Sequence, residues 1–247
     1  MTVKLDGKRC LVTGGSRNLG RAICLALARA GARVAFTFHE RQNEAEETRR
    51  LLEATGAASL AFQGSVADRA HVAATVKAVE VAWGGIDVLV NNAALTQVLP
   101  IALLEEDEWD AVMDTNVKGP YLFSRAALKS MIRTKKGHIL NVGSFGADRV
   151  LEAPVHYAAS KAALVGFSMA LAKEVGRYGV AVNCLVPGLL EAGLSERLPR
   201  HRVDSYVAQA ALRRLGTLEE VADFAAWLVS DDNSFMTGGQ VVIDGGL

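Results

Sequence analysis

The sequence predicts an α/β fold in which about seven parallel strands form a doubly wound sheet with helices on both faces. Short, fully apolar segments alternate with longer segments of helical character along the 247 residues, half of which are hydrophobic, and no linker-like or low-complexity segment interrupts them. Strands with continuous apolar faces are typical of a parallel sheet that is covered on both sides. We therefore expect a single domain over residues 1–247.

The predicted elements alternate from one end of the chain to the other. Strands are expected at residues 9–13, 34–38, 59–63, 88–90, 138–142, 180–186 and 241–243. Helices are expected at residues 19–30, 42–55, 69–83, 106–133 (with an interruption at Gly119-Pro120), 155–178 and 218–228. Residues 189–202 are polar and apolar by turns, and we interpret the segment around residues 189–212 as a lid over a substrate site.

Composition argues against several classes of protein. Lys+Arg and Asp+Glu both total 27, so the basic excess of a nucleic-acid-binding protein is absent and no nucleic-acid partner is expected. The apolar runs are shorter than the ~18 residues that a membrane span requires. Cys10, Cys24 and Cys184 lie in apolar segments without metal-ligand spacing, so we expect no metal site and reduced thiols in a cytoplasmic protein.

A glycine-rich turn follows the first strand and precedes the first helix. Gly14 and Gly20 enclose Ser16, Arg17, Asn18 and Leu19. Glycines let a backbone approach a pyrophosphate, and a helix N-terminus offers free N–H groups and a partial positive charge. Asn18 stands where a middle glycine is expected, but asparagine tolerates a left-handed backbone. The turn predicts a dinucleotide site, although a plain strand–helix connection has the same appearance.

The end of the second strand bears on the choice of cofactor. A carboxylate at this point usually holds the ribose 2′-OH of NAD, whereas a basic residue accommodates the 2′-phosphate of NADP. Phe38 occupies the strand end, and His39 and Arg41 follow it. With Arg17 they could form a basic pocket, so NADP(H) is favoured and NAD(H) is not excluded. The alternative is that Arg41 is ordinary helix surface.

Tyr157 and Lys161 lie at the start of a later helix and are four residues apart, which places both side chains on one face. A nearby ammonium group favours the phenolate and lowers the pKa of a tyrosine, which could then exchange a proton with a carbonyl or alcohol. Ser144 follows a predicted strand at its carboxyl end, where open α/β sheets bind their ligands. A Tyr/Lys pair on a helix surface is the simpler alternative.

In order and spacing these motifs resemble the short-chain dehydrogenase/reductase family, whose fold is of the Rossmann type, over essentially the whole chain. The resemblance also includes residues 91–93, Pro187-Gly188 and residues 244–246. It implies that Tyr157 transfers a proton, Lys161 lowers its pKa and contacts the nicotinamide ribose, Ser144 polarises the substrate oxygen, and Asn116 anchors a water. It further implies cofactor contacts at Gly14, Ser16, Arg17, Asn18, Leu19, Gly20, His39, Ser65, Val66, Asn92, Ala93, Tyr157, Lys161, Pro187 and Gly188.

Four positions depart from the family pattern and put cofactor affinity in question. Asn18 replaces the middle glycine of the turn, and Ala94 stands where a glycine is usual. Ser65 occupies a position that often holds an aspartate for adenine. Ala192 occupies one that often holds a threonine for the carboxamide. The catalytic positions themselves are intact.

Within the family the chain most resembles 3-oxoacyl-[acyl-carrier-protein] reductases. Lys129 and Lys173 occupy helix positions that are often basic in these enzymes, as an acidic carrier would require, although a solvated lysine explains either. The expected partner is a small or carrier-bound substrate. A dehydrogenase of a free alcohol, sugar or steroid and a non-catalytic nucleotide-binding regulator remain alternatives.

The helix at residues 155–178 is apolar nearly all round, so one face remains after another has covered the sheet. Ala163, Gly166 and Ala170 would permit close helix approach across a two-fold axis. The last strand would form a sheet edge that needs covering. These features, with the family resemblance, predict a homotetramer.

Overall fold

The computed structural model describes residues 3–147, 153–193 and 195–247, and its seven strands form one parallel sheet. The strands are β1 (Arg9–Val12), β2 (Arg33–Phe38), β3 (Ser59–Gln63), β4 (Val88–Asn91), β5 (Gly137–Val142), β6 (Val180–Pro187) and β7 (Gln240–Ile243). Their order is β3-β2-β1-β4-β5-β6-β7. The order reverses direction between β1 and β4, which opens a crevice at their carboxyl ends. The predicted fold class is confirmed.

Eight α-helices flank this sheet in the described part of the chain. They are α1 (Asn18–Arg29), α2 (Gln42–Ala54), α3 (Arg69–Trp83), α4 (Glu106–Met113), α5 (Gly119–Thr134), α6 (Val155–Val175), α7 (Arg200–Gln209) and α8 (Leu218–Leu228). Side chains of β1 alternate between two apolar layers, as the pleat of a strand requires. Cys10 and Val12 pack with α1 and α8, and Leu11 packs with α3 and α5.

Two features differ from the predicted elements. The long helix expected over residues 106–133 contains a π-helical turn at Asp114–Lys118, and Gly119-Pro120 begin the following helix instead of interrupting one. Proline is tolerated there because its missing N–H lies in the first helical turn. The segment expected to be an irregular lid contains α7. Leu194, within that segment, lies outside the described residues.

Helix α7 is held against the sheet by one buried tyrosine. The hydroxyl of Tyr206 accepts a hydrogen bond from the backbone N–H of Leu189 at 2.9 Å and donates one to the carbonyl oxygen of Asp244 at 2.9 Å. The start of the lid is thereby joined to the residues that follow β7. None of the helices described has the length and apolar character needed to cross a bilayer.

Candidate active site

A cavity of about 770 Å³ opens at the carboxyl ends of the central strands. Every residue predicted for cofactor contact or catalysis lines it, with the exception of Asn116. Walls and roof also include residues that the sequence did not single out, namely Thr37, Leu95, Thr96, Phe145, Leu189, Leu190, Glu196 and Arg197. The fold therefore brings together residues from eight separate segments at the position where doubly wound sheets bind ligands.

Close backbone packing explains the glycines of the turn. Gly14 has a φ of +67°, and a Cβ there would lie 2.9 Å from the Cα of Ala93. A Cβ on Gly20 would overlap the carbonyl oxygen of Gly14. Side chains at these two positions would push the turn away from the sheet. The glycines thus keep the start of α1 directed into the cavity, where its free N–H groups suit a pyrophosphate.

Thr13 and Asn92 lock this turn to the next strand. The hydroxyl oxygen of Thr13 accepts hydrogen bonds from the backbone N–H groups of Asn92 at 3.0 Å and Ala93 at 3.1 Å. The Asn92 amide in return donates to the carbonyl oxygens of Thr13 and Gly14, both at 3.1 Å. The floor of the cofactor end is therefore fixed by four reciprocal bonds between β1 and β4.

Asn18 adopts the backbone conformation that the missing glycine would have supplied. Its φ is +45°, in the left-handed region that asparagine tolerates. Its side chain reaches the lid, since a Cβ on Gly193 would lie 3.4 Å from its amide nitrogen. The departure at this position preserves the turn and adds a contact across the cavity.

The adenosine end of the cavity is basic. Arg17, His39 and Arg41 line it together, with Ser65 and Val66 in the adjoining wall. The pKa of Arg17 is lowered, first by burial and then by the positive charge of Arg41. Glu40 also lines the cavity and lies 3.8 Å from the ring of His39. Clustered guanidinium groups whose positive charges repel one another are suited to binding a phosphate.

Tyr157 and Lys161 lie at the opposite end of the cavity from the arginines. The ammonium group of Lys161 donates a hydrogen bond to the carbonyl oxygen of Val142 at 2.7 Å and lies 5.6 Å from the ring centroid of Tyr157. A side-chain hydrogen bond joins Tyr157 to Ser144. Three groups able to bind or move a proton at a carbonyl oxygen thus converge on one point.

The pKa values differ from the sequence-based expectation. Burial raises the pKa of Tyr157, and the bond from Ser144 only partly opposes this. Burial also lowers the pKa of Lys161 to about 8. The expected lowering of the tyrosine pKa by the lysine is absent from this structure because the ammonium is directed to Val142, and desolvation dominates both groups.

Asn116 lies behind the cavity wall, in the π-helical turn, and is buried. Its side-chain oxygen accepts from the backbone N–H of Leu95 at 2.7 Å, and its amide donates to the Leu95 carbonyl and to the hydroxyl of Ser160, both at 2.9 Å. Ser160 in turn donates to the carbonyl oxygen of Tyr157 at 2.7 Å. Asn116 therefore connects the wall of the cavity with the backbone of the tyrosine.

These features fit a nicotinamide dinucleotide. The glycine turn and the start of α1 would hold its pyrophosphate, the arginines a phosphate on its adenosine ribose, and Lys161 its nicotinamide ribose. The bound nicotinamide would supply or accept a hydride beside Ser144 and Tyr157. Pro187 and Gly188 end β6 in the same wall, and Gly188 has no space for a side chain against Tyr206.

Comparisons with known proteins agree with this geometry. A family model described as "Enoyl-(Acyl carrier protein) reductase" matches residues 14–247. The 3-oxoacyl-[acyl-carrier-protein] reductase FabG of Pseudomonas aeruginosa is 36% identical over 245 residues, which cover 99% of each chain. The protein of the same name from Escherichia coli K12 is 33% identical over 245 residues, again 99% of each chain.

Solved structures give the same result. A short-chain dehydrogenase from Burkholderia cenocepacia in complex with NADP superposes with a TM-score of 0.92 at 36% identity, over 98% of both chains. A gluconate 5-dehydrogenase from that organism, in complex with NADP and tartrate, superposes with a TM-score of 0.92 at 30% identity, over 99% of this chain and 96% of the other. The chain is an NAD(P)H-dependent oxidoreductase that belongs to the short-chain dehydrogenase/reductase family.

Proposed function

We propose that this protein is an NADPH-dependent reductase that converts a 3-oxoacyl thioester, bound to acyl carrier protein, to the 3-hydroxyacyl form. The observation that carries the proposal is the convergence of Ser144, Tyr157 and Lys161 in one cavity with a glycine-lined phosphate cradle. The similarity to reductases named for this reaction extends over nearly the whole chain, at 33% to 36% identity. We propose a cytoplasmic location, with which three buried cysteines outside any disulfide are consistent.

In the proposed reaction the carbonyl carbon gains a hydride from the cofactor, and the carbonyl oxygen gains a proton. Ser144 donates a hydrogen bond to that oxygen, and Tyr157 supplies the proton. A tyrosine hydroxyl is protonated at neutral pH, as a donor requires. Burial raises the pKa of Tyr157 further, so bound cofactor and substrate have to lower it again for the proton to leave. Lys161 then stabilises the tyrosinate, and we propose that a water near Asn116 restores the proton.

We propose that NADPH is preferred over NADH. Arg17, His39 and Arg41 line the end of the cavity where a 2′-phosphate would lie. Phe38, at the strand end, is buried and has no carboxylate to hold a 2′-OH. A structural relative was solved with NADP. Equal kcat/KM values for the two cofactors would contradict this preference.

Two lysines on neighbouring helices are proposed to bind the acidic carrier. Lys129 on α5 and Lys173 on α6 are both exposed. Neither side chain makes an ion pair with another described residue, so both charges are available to an acidic partner. The proposal predicts that reversing them raises KM for a carrier-bound substrate and leaves a small thioester unaffected, because only the carrier reaches the surface of the helices.

A second candidate is a dehydrogenase of a small free hydroxy acid or sugar. The gluconate 5-dehydrogenase that superposes with a TM-score of 0.92 at 30% identity favours it, because the same fold there serves a free substrate. The same proton and hydride transfers would then proceed on a free substrate. The apolar roof formed by Leu189 and Leu190 is better suited to an acyl chain than to a polyol.

One assay separates these candidates. NADPH consumption is followed with a 3-oxoacyl thioester on acyl carrier protein, the same acyl group on a small thiol, and the matching 2-enoyl thioester that the family model's description suggests. NADP⁺ reduction is followed with gluconate-type acids. The proposal expects the carrier-bound 3-oxoacyl substrate to have the highest kcat/KM, and a polyol acid with the highest value would overturn it.

The role of the carrier is tested with charge reversal. Lys129→Glu and Lys173→Glu should raise KM for the carrier-bound substrate by about tenfold each, and Lys77→Glu, an exposed lysine on α3, serves as the matched control. Equal KM values in all three variants would refute docking at α5 and α6 but leave the reductase activity in place.

We propose that the protein is a homotetramer. The small residues Ala163, Gly166 and Ala170 of α6 are exposed in the single chain, and Met169 beside them is 53% exposed. Strand β7 is an edge of the sheet and leaves Val242 43% exposed. Two uncovered apolar surfaces would allow a dimer of dimers. Sedimentation equilibrium should give four times the 26.3 kDa monomer mass, and a monomer at micromolar concentration would refute it.

A further inference from the structure

We propose that Arg197, in the lid, forms part of the cofactor site and binds a phosphate group of the dinucleotide together with Arg17 and Arg41. The inference rests on the proposed use of NADPH and adds a residue from the substrate side of the cavity. A lid ordinarily covers the substrate. Here the segment that roofs the substrate end would also hold the cofactor.

The first observation is the path of the lid. Gly193 has a φ of +89°, and a Cβ there would lie 3.4 Å from the side-chain amide nitrogen of Asn18, in the glycine turn. The lid therefore crosses the cavity to the start of α1, where the pyrophosphate of a dinucleotide would lie. Ser195–Arg197 then form a short 3-10 helix, and Arg197 lines the cavity together with Arg17 and Arg41.

The second observation is charge. Arg197 is close enough to Arg17 to lower its pKa, as Arg41 does. Within residues 3–147, 153–193 and 195–247, none of these three guanidinium groups forms an ion pair or a side-chain hydrogen bond. Three unpaired cations around one cavity repel one another until an anion is bound, and a phosphate is the anion that a guanidinium fits best.

Three carboxylates lie near this cluster and do not neutralise it. Glu44 is paired with Arg21, at 2.9 Å. Glu196 accepts a hydrogen bond from the backbone N–H of Gly193 at 3.1 Å, so its carboxylate stabilises the turn of the lid. Glu40 lines the same cavity beside the ring of His39, at 3.8 Å. Three arginines against the carboxylates of Glu40 and Glu196 leave the cavity wall positive.

The test compares Arg197→Gln with Arg200→Gln, an exposed arginine at the start of α7, and with Arg197→Lys, which retains the charge. Dissociation constants for NADPH and NADH are measured from the change in fluorescence of the reduced nicotinamide. We expect Arg197→Gln to raise the constant for NADPH about tenfold, since one charge-assisted hydrogen bond to phosphate is of that order. Arg200→Gln should have the dissociation constant of the wild type, and the constant of Arg197→Lys should lie between those of the wild type and Arg197→Gln.

Comparing NADH with NADPH identifies which phosphate group of the cofactor Arg197 binds. A loss confined to NADPH assigns Arg197 to the 2′-phosphate, and an equal loss for NADH assigns it to the pyrophosphate. Either result supports the proposal. Wild-type affinity of Arg197→Gln for both cofactors, when Arg17→Gln binds NADPH weakly, would overturn the role of Arg197 and leave the proposed function intact. A wild-type protein that bound neither cofactor would overturn both.

Discussion

Replacing Ser160 by alanine should separate positioning in the active site from stability of the fold. Ser160 is fully buried and lies between two candidate functional residues. It accepts a hydrogen bond from the amide of Asn116 at 2.9 Å and donates one to the carbonyl oxygen of Tyr157 at 2.7 Å. The side chain itself does not line the cavity. Ser160→Ala therefore removes no group that would touch substrate or cofactor.

The expected loss of stability follows from the two hydrogen bonds of the Ser160 hydroxyl. An amide N–H of Asn116 would be left unpaired in the interior, which costs about 1–3 kcal/mol, and the bond to Tyr157 contributes about 1 kcal/mol. The free energy of unfolding should fall by roughly 2–4 kcal/mol, or by about 4–16 °C in Tm for a chain of this length. Because Asn116 also holds the backbone of Leu95, we expect kcat to fall by roughly tenfold or more.

Ser168 offers a matched control on the same helix. It is equally buried, accepts from the amide of Asn141 at 2.8 Å, and donates to the carbonyl oxygen of Leu164 at 2.7 Å. Denaturant unfolding and steady-state kinetics of both alanine variants supply the comparison. Both should lose similar stability, but only Ser160→Ala should lose turnover. If Ser168→Ala lowers kcat as much as Ser160→Ala does, the loss of turnover reflects the lower stability of the fold, and the positioning role of Ser160 is refuted.

Three further predictions concern catalysis, the cofactor and pH. Tyr157→Phe should lower kcat by roughly 10²–10⁴-fold with an unchanged dissociation constant for NADPH, and more than about a tenth of wild-type kcat would contradict its role. Gly20→Ala should abolish cofactor binding because its Cβ overlaps the turn, whereas Gly176→Ala, which has open space, should bind normally. The pKa of Lys161 is lowered to about 8. Between pH ~8 and ~10.4 the unfolded chain therefore keeps a proton on Lys161 that the folded protein has lost. In cofactor-free protein the free energy of unfolding, measured relative to Lys161→Met, should rise with pH across this range by at most about 1.4 kcal/mol per pH unit. A difference in the free energy of unfolding between the two proteins that does not change with pH would contradict the burial of this lysine.

The strands and most helices could be predicted because their patterns are local. β3, α3 and α8 have the predicted bounds, and each of the other strands differs by one residue at one end. In a parallel sheet covered on both faces each strand is a short apolar run, and turn residues mark its ends. The glycine turn could also be predicted from the sequence, because the close backbone contacts at Gly14 and Gly20 leave no space for a side chain.

Elements whose stability depends on distant contacts could not be predicted. Helix α7 contains mostly polar residues and depends on Tyr206, whose partners are Leu189 and Asp244. The π-helical turn around Asn116 depends on bonds to Leu95 and Ser160, which are far away in the sequence. No local pattern signals either one. Arg197 was missed for the same reason, because only the path of the lid brings it to Arg17.

The protonation of the buried pair follows from the tertiary structure and not from the spacing of Tyr157 and Lys161. Helical spacing placed the two residues on one face, but it could not give the position of the ammonium, which donates to Val142. Burial then favours the neutral form of both groups: it holds the proton on Tyr157 and weakens its hold on Lys161. A raised pKa makes the hydroxyl of Tyr157 a weaker acid, and the best general acids have a pKa near the working pH. Proton transfer to a carbonyl therefore requires that bound cofactor and substrate lower the pKa of Tyr157 again, as a closer approach of the Lys161 ammonium to the phenol oxygen would do.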